Sequence, residues 1–221
     1  DKTVAGFLIE PIQGEAGVIV PDEGYLSKAK QLCEAYNVLF MADEIQTGLG
    51  RTGKMLACDH ENIKPDILIL GKALSAGTIP VSAVLANNEI MLNIKPGEHG
   101  STYGGNPLAC AVAIESIKVL QEESMIENAA TMGTLLRNEL QQLNSPFIST
   151  IRGKGLLNAI VIEHANKEAA WELCLQLKEN GLLAKPTHGD KIRFAPPLVI
   201  SKQQILECVD IIDRSLKDGL G

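Results

Sequence analysis

Short apolar runs that alternate with helical patterns are the feature that most constrains how this chain can fold. Strand-like runs occur at residues 4–9, 38–42 and 67–70, and residues 81–86 are a fourth candidate. Residues 24–36 carry apolar side chains at helical spacing. Nearly uninterrupted apolar strands separated by helices are typical of a mostly parallel sheet covered on both faces, so the first part of the chain is predicted to be α/β.

The pattern changes at Asn106-Pro107, which predicts a helix start with Asn as the N-cap and Pro at the first helical position. Helical spacing follows at 108–120 and 126–143. After it we expect an α+β segment, with strands near 156–162, 182–185 and 191–195 and helices near 167–180 and 201–216. The chain is therefore predicted to contain part of a large α/β domain at 1–125 and a smaller α+β domain at 126–221.

Composition narrows the class of protein. With 221 residues and 45% apolar content, the chain can bury a sizeable core. Its net charge of -7 argues against nucleic-acid binding and against an anionic membrane surface. No apolar run has the length of a membrane span, and no targeting peptide is visible. The chain opens at Asp1, without Met, and enters a strand-like run at once, so we expect upstream sequence to be missing.

The cysteines and histidines indicate no metal site. The five cysteines are widely spread, form no C-x-x-C pair and are odd in number, which favours reduced thiols in an intracellular compartment. The four histidines show no metal-ligand spacing, and each is interpreted as a surface or loop residue.

Three of the predicted strands end on charged residues. Glu10, Asp43-Glu44 and Lys72 follow the runs at 4–9, 38–42 and 67–70. In open parallel sheets, ligands bind outside the carboxyl ends of the strands, so these side chains are expected to converge on one crevice. A solvated loop explains any single one of them equally well, but three at strand ends favour a site.

Lysine and aspartate in one crevice suit a particular chemistry. A partly desolvated lysine amine loses its charge readily and can form a Schiff base. A nearby carboxylate can keep the pyridine nitrogen of pyridoxal phosphate protonated, so that the ring accepts electrons. Because such a pair is generic, spacing alone does not separate this hypothesis from coincidence.

Two glycine-containing segments invite a phosphate-binding interpretation. Residues 100–107 form a glycine-rich loop that runs into a helix, which suits either a phosphate or simply a capped helix. Residues 48–54 satisfy G-x-x-x-x-G-K, but Met55 stands where a P-loop needs Ser or Thr, so nucleotide hydrolysis is not expected. A dinucleotide-binding dehydrogenase is also not expected, because no G-x-G-x-x-G opens a βαβ unit.

Arg193 is a lone charge inside an apolar strand pattern. Such a residue usually needs a carboxylate partner, either in the protein or on a ligand.

Several motifs together resemble class III aminotransferases, over essentially the whole chain. They are Glu10-Pro11-Ile12-Gln13-Gly14-Glu15-Ala16-Gly17, Ala42-Asp43-Glu44-Ile45-Gln46-Thr47-Gly48, Gly71-Lys72-Ala73-Leu74-Ser75 and residues 100–107. Residues 152–157 and 185–197 are similar in particular to the members of that family that act on ornithine.

The resemblance implies a fold type I enzyme that depends on pyridoxal 5'-phosphate, with Lys72 and Asp43 as its catalytic residues. Lys72 would bind the cofactor as a Schiff base and later move the proton between substrate and cofactor carbons. Asp43 would pair with the pyridinium nitrogen, and Gln46 would contact the ring hydroxyl. Thr102 would bind the cofactor phosphate of a neighbouring subunit, which implies at least a homodimer.

The implied substrates are ornithine and 2-oxoglutarate. Arg193 would bind the α-carboxylate of glutamate or 2-oxoglutarate, and Glu15 would pair with Arg193 while ornithine reacts through its δ-amine. Glu10 would support the site from behind. The implied compartment is the mitochondrial matrix, or the cytoplasm if the protein is microbial-like.

Two departures accompany the resemblance. The family usually has Gly-Gly, an apolar residue, Tyr and Pro after Ser75, where this chain has Ala76-Gly77-Thr78-Ile79-Pro80. If position 76 needs a positive φ, Ala76 is strained there. The family's upstream half, which supplies further phosphate, ring and ornithine contacts, is not in this sequence. Alternatives are therefore another ω-amino-acid or acetylornithine aminotransferase, or an inactive truncated chain that only pairs with related subunits.

Overall fold

The structure is a computed structural model that describes residues 2–220, and the chain divides into two compact units. The first unit comprises Asp1–Pro11, Pro21–Leu49 and Met55–Ser124. The second comprises Ile12–Val20, Gly50–Lys54 and Met125–Gly221. The identification of these units with a large cofactor-binding domain and a small domain remains a prediction.

A four-stranded sheet forms the centre of the first unit. Its strands are β1 (Gly6–Ile9), β2 (Leu39–Asp43), β3 (Ile67–Leu70) and β4 (Ala83–Ala86), in the order β1-β2-β3-β4. β1, β2 and β3 are parallel neighbours, and β4 pairs with β3 in the antiparallel direction. All four predicted strands are therefore confirmed, in a mixed sheet whose parallel strands share one carboxyl edge.

The α-helices of the first unit lie between and after these strands in the sequence. They are α1 (Tyr25–Ala35), α2 (Asn88–Met91) and α3 (Pro107–Glu122). Leu26 and Cys33 of α1 are buried with Phe40 and Ala42 of β2, whereas Leu32 of the same apolar pattern is 61% exposed. Asn106 Oδ1 accepts a hydrogen bond from the Ala109 N–H at 2.8 Å, so the predicted N-cap is also confirmed.

The second unit combines an antiparallel sheet with three helices. The helices are α4 (Met125–Gln142), α5 (Ala169–Glu179) and α6 (Lys202–Leu220). The strands are β5 (Ile148–Lys154), β6 (Leu157–Ile162), β7 (Lys185–Thr187) and β8 (Lys191–Phe194), in the order β5-β6-β8-β7. Their buried side chains form one core, which includes Leu136, Ile160, Leu173, Ile192 and Ile212.

Two strands of this unit differ from the sequence prediction. β5 was not predicted, because its residues 148–154 mix Ser, Thr, Arg, Gly and Lys with only two isoleucines. The strand predicted near residues 182–185 is misplaced, because the observed strand β7 comprises Lys185–Thr187. β7 lies at the end of the sheet order, and this edge position tolerates Pro186, which has no N–H to donate.

Two further features concern the cysteines and the helices. The five cysteines form no disulfide, and burial raises the pKa of Cys174 to about 11. None of the helices in residues 2–220 is long and apolar enough to cross a bilayer.

Candidate active site

The carboxyl edge of the parallel strands gathers most of the predicted site residues of the first unit. Asp43 closes β2, and Lys72 follows β3 after Gly71. β2 and β3 are parallel neighbours, with Asp43 opposite Ile69. Glu10 directly follows β1, whose last residue Ile9 lies opposite Ala42 of β2. The fold therefore brings Glu10, Asp43 and Lys72 to one edge of one sheet.

Asp43 occupies a tight turn at that edge. Its Oδ1 accepts a hydrogen bond from the Ile45 N–H at 3.0 Å, which fixes the orientation of the carboxylate. Gln46 follows in the same turn, and both side chains are half-buried. The Asp43 carboxylate is therefore oriented and partly accessible at the sheet edge.

Glu44, the neighbour of Asp43, has a different environment. It is 1% exposed, and its carboxylate accepts hydrogen bonds from Thr47 Oγ1, the Ala57 N–H at 3.0 Å and the Cys58 N–H at 2.8 Å. Glu44 therefore ties the turn after β2 to residues 57–58. Burial and the Glu44 carboxylate together raise the pKa of the Cys58 thiol. The sequence offered only a weak signal for this role, a Thr three residues after the Glu.

Lys72 has an unusual backbone conformation for a residue other than glycine. Its φ is 49°, and its side chain is exposed. Left-handed conformations cost energy in L-residues, and Lys72 shares this one with other non-glycine residues such as Ala76, so its φ alone assigns it no role.

The segment after Lys72 shows the consequence of the Ala76 departure. Ala76 adopts a φ of 51°, so it occupies the left-handed region in which glycine has no penalty. The loop is held by Thr78 Oγ1, which donates to the Ser75 carbonyl at 2.8 Å, and by a bond between Ser75 Oγ and the Ile79 carbonyl. Ile79 is therefore part of a hydrogen-bonded loop even without the tyrosine usual in the family.

Thr102 lies in a different place, the loop before α3. It is exposed, and Tyr103 beside it is 81% exposed. The loop is shaped by the Gly104 N–H, which donates to Ser101 Oγ at 2.9 Å, and by Asn106, which donates from its side chain to the Tyr103 carbonyl. Thr102 is thus presented on an ordered loop.

In the second unit, Glu15 contacts two cations. Its Oε1 lies 2.6 Å from Arg193 Nη1, and its Oε2 lies 3.2 Å from Lys185 Nζ. The hydrogen bonds from Arg193 and then Lys185 lower the pKa of Glu15 from 4.5 to about 2. Arg193 thus has the carboxylate partner that its position in an apolar strand required. No sequence pattern had indicated a role for Lys185.

The turn that carries Glu15 is firmly anchored. Gln13 and Ile19 exchange backbone hydrogen bonds at 3.1 and 2.9 Å, and Arg152 Nε donates to the Gly17 carbonyl at 2.8 Å. Gly17 has a φ of 99°, and a Cβ there would lie 2.3 Å from the Lys191 side chain. Only glycine fits this position, so the turn is held close to β8.

Gly50–Lys54 are the part of the P-loop-like segment that belongs to the second unit, and they have a packing role. Arg51 donates to the carbonyls of Leu156 at 3.1 Å and Pro196 at 2.6 Å, and burial lowers its pKa. A Cβ on Gly155 would lie 2.3 Å from the Thr52 carbonyl carbon, so these two segments need a glycine to approach.

The residues at the sheet edge suit pyridoxal phosphate. Covalent attachment of its aldehyde needs a primary amine, and its ring nitrogen needs a carboxylate; Lys72 and Asp43 supply these groups at one edge. Among residues 2–220, no cluster of His, Cys, Asp and Glu could hold a metal ion.

Comparison with known proteins agrees with this chemistry. The fold is that of fold type I transferases that depend on pyridoxal phosphate. Residues 1–216 match the model of the family described as aminotransferase class-III, and the chain belongs to this family.

The similar proteins are about twice as long. The mitochondrial ornithine aminotransferase of Drosophila melanogaster is 65% identical over 98% of this chain and 50% of its own length, and that of Rattus norvegicus is 62% identical over 98% and 49%. A solved acetylornithine aminotransferase from Elizabethkingia anophelis is 60% identical, with a TM-score of 0.93 over 96% of this chain and 56% of its own. The chain spans about half the length of the curated relatives it matches.

Proposed function

We propose that the full-length protein is an ornithine δ-aminotransferase that uses pyridoxal 5'-phosphate. It transfers the δ-amino group of ornithine to 2-oxoglutarate, giving glutamate and glutamate semialdehyde, which cyclises to pyrroline-5-carboxylate. The observation that carries this proposal is the contact between Glu15 and Arg193, in a chain that also places Asp43 and Lys72 at one sheet edge. The names of the curated relatives, several of which are called ornithine aminotransferases, support it.

The residues at the sheet edge hold the cofactor and handle the proton. When bound, the cofactor supplies an electron sink for the carbanion that transamination requires. Lys72 Nζ would hold the cofactor covalently and, once the substrate amine has taken its place, would accept the proton from the substrate carbon that carries the amine. The Asp43 carboxylate keeps the ring nitrogen protonated, Gln46 contacts the ring hydroxyl, and Glu10 supports them. The oriented turn around Asp43 favours this assignment.

Arg193 and Glu15 select which end of the substrate reacts. With glutamate or 2-oxoglutarate, the Arg193 guanidinium binds the α-carboxylate, a geometry that suits its planar fork. With ornithine, Glu15 stays paired with Arg193, so Arg193 does not bind the α-carboxylate. The δ-amine then reacts. Because the pKa of Glu15 is about 2, this carboxylate is ionised at neutral pH and can hold Arg193.

The active unit is proposed to be at least a homodimer in the mitochondrial matrix. Exposure of Thr102 on an ordered loop suits contact with the cofactor phosphate of a neighbouring subunit. Several relatives are named mitochondrial, whereas the fungal ones are not. The remaining phosphate, ring and ornithine contacts would come from the part of the protein that this chain does not span.

A second candidate function is acetylornithine aminotransfer. The solved structure that bears this name is 60% identical to the chain, so identity alone does not separate the two substrates. Ornithine has a free α-amine that acetylornithine lacks, and the comparison of the two substrates separates the two functions.

Substrate profiling of the full-length protein tests the proposal. We expect formation of pyrroline-5-carboxylate from ornithine and 2-oxoglutarate, with a kcat/KM at least about tenfold above that for acetylornithine or 4-aminobutyrate. A preference for either competitor would assign the protein to that substrate. No turnover with any of the three would contradict the proposed enzyme and favour an inactive member.

A further inference from the structure

Glu15 divides its two carboxylate oxygens between cations on neighbouring strands. Oε1 faces Arg193 Nη1 at 2.6 Å, and Oε2 faces Lys185 Nζ at 3.2 Å. The Arg193 side chain is only 10% exposed, whereas that of Lys185 is 60% exposed. Because each cation has its own oxygen, Lys185 can remain with Glu15 when Arg193 leaves.

The two cations oppose each other directly in the sheet. Lys185 of β7 and Arg193 of β8 are cross-strand partners in an antiparallel pair. Like charges in this position repel, and the Glu15 carboxylate between them offsets the repulsion. Lys185 therefore acts on Arg193 in two ways, since it repels the guanidinium and partly neutralises the carboxylate that holds it.

Thr187 keeps Glu15 on the side of β7. Its hydroxyl donates a hydrogen bond to the Glu15 carbonyl, and its side chain is buried. Residues two apart in a strand share a face, so Thr187 anchors the backbone of Glu15 on the face from which Lys185 reaches its carboxylate. When Arg193 turns to another carboxylate, Glu15 is thus expected to stay beside Lys185.

We propose that Lys185 is a positioning residue that determines specificity for dicarboxylates. It serves as the counter-ion of Glu15 whenever Arg193 binds a substrate carboxylate, and so makes the release of Arg193 less costly. This inference rests on the proposed function, because it concerns the half-reaction in which glutamate or 2-oxoglutarate occupies Arg193. The ornithine half-reaction leaves Glu15 and Arg193 paired and does not need Lys185.

Removal of Lys185 should therefore affect the two half-reactions unequally. Without this cation, Glu15 would no longer have Lys185 as a partner when it releases Arg193, so the state in which Glu15 and Arg193 are paired becomes more favourable. Because Glu15 and Lys185 are more than half exposed, the effect is that of a surface ion pair. We expect Lys185→Met to weaken dicarboxylate binding about two- to fivefold, with ornithine binding unchanged.

The test compares three variants of the full-length holoenzyme. Lys185→Met removes the cation, and Lys185→Arg keeps the charge. Lys217→Met is the matched control, because it removes an exposed cation of the same unit that pairs with Asp213 at 2.6 Å. Calorimetry measures the Kd of glutarate, a dicarboxylate that cannot react. Single-turnover kinetics measure the half-saturating concentrations of glutamate and ornithine.

The expected result is weaker binding of glutarate and glutamate by Lys185→Met alone, rescue by Lys185→Arg, and a smaller difference at high salt. Equal values for Lys185→Met and Lys217→Met would overturn the role of Lys185 but leave the proposed function intact. An equal loss for ornithine would also overturn it, because Lys185 would then act as a general anion binder. Wild-type protein that binds no glutarate and reacts with neither amine would refute both.

Discussion

Asp43 and Glu44 are adjacent carboxylates at the end of β2, but their environments differ. Glu44 is buried with hydrogen-bond donors from Thr47, Ala57 and Cys58, whereas Asp43 is half-buried and oriented by one backbone N–H. Successive residues at a strand end point in opposite directions, so a single Asp-Glu pair can occupy both environments. Glu44 stabilises the turn, whereas Asp43 stays half-buried at the sheet edge.

Replacement of Glu44 should destabilise the protein. Glu44→Gln places an amide where a buried carboxylate accepts from backbone N–H groups, and the free energy of unfolding should fall by about 2–3 kcal/mol. Denaturant titration of the full-length protein measures this change. Glu115→Gln is the matched control, because Glu115 is exposed and ion-paired with Lys118, and its loss should cost less than about 0.5 kcal/mol. Equal effects of the two substitutions would show that the Glu44 hydrogen bonds contribute little.

At the scale of elements, close backbone approach decides how one helix of the second unit packs. Gly133 lies within α4, and a Cβ built there would come within 1.7 Å of the Gly155 carbonyl oxygen. Gly155 itself has a φ of 52°. The glycine in the helix is therefore required by its neighbour, although glycine is a poor helix former.

The same substitution at two helical glycines should have opposite effects. Gly133→Ala should lower the free energy of unfolding by about 1–3 kcal/mol, since the overlap is with backbone that cannot rotate away. Gly219→Ala in α6 meets only Gln176 side-chain atoms at 3.7 Å, so better helix propensity should raise stability by up to about 1 kcal/mol. Thermal unfolding of both variants checks the sign. A stabilising Gly133→Ala would contradict the packing of α4 on the turn at Gly155.

Across the fold, the elements that could be predicted from the sequence are those marked by a short-range pattern, such as an apolar run or a helix cap. The apolar runs of β1 to β4 and the cap at Asn106 were predicted because apolar composition and N-capping leave direct patterns, although Leu8 of β1 and Val84 of β4 are exposed in the structure. β5 was missed because its own residues are mostly polar, and α4, which packs against it, is not visible in its local pattern. β7 was misplaced because an edge strand that contains Pro186 has a weak pattern.

The candidate site could be predicted only in part for a similar reason. Charged residues at strand ends predicted which residues reach the sheet edge, and a lone Arg193 in an apolar strand predicted a carboxylate partner. The identity of that partner, 178 residues away in the chain, came from the family resemblance. The contribution of Lys185 depends on its cross-strand register with Arg193, which local patterns do not reveal.

We expect Lys72 to carry the cofactor, and covalent trapping is a direct test of this attachment. The full-length protein with pyridoxal phosphate is reduced with borohydride, digested and mapped by mass spectrometry, beside a Lys72→Arg variant and a Lys64→Arg control. We expect one pyridoxyl group on the peptide that contains Lys72, in the wild type and the control but not in Lys72→Arg. An adduct on a different lysine, or none in the wild type, would contradict the account.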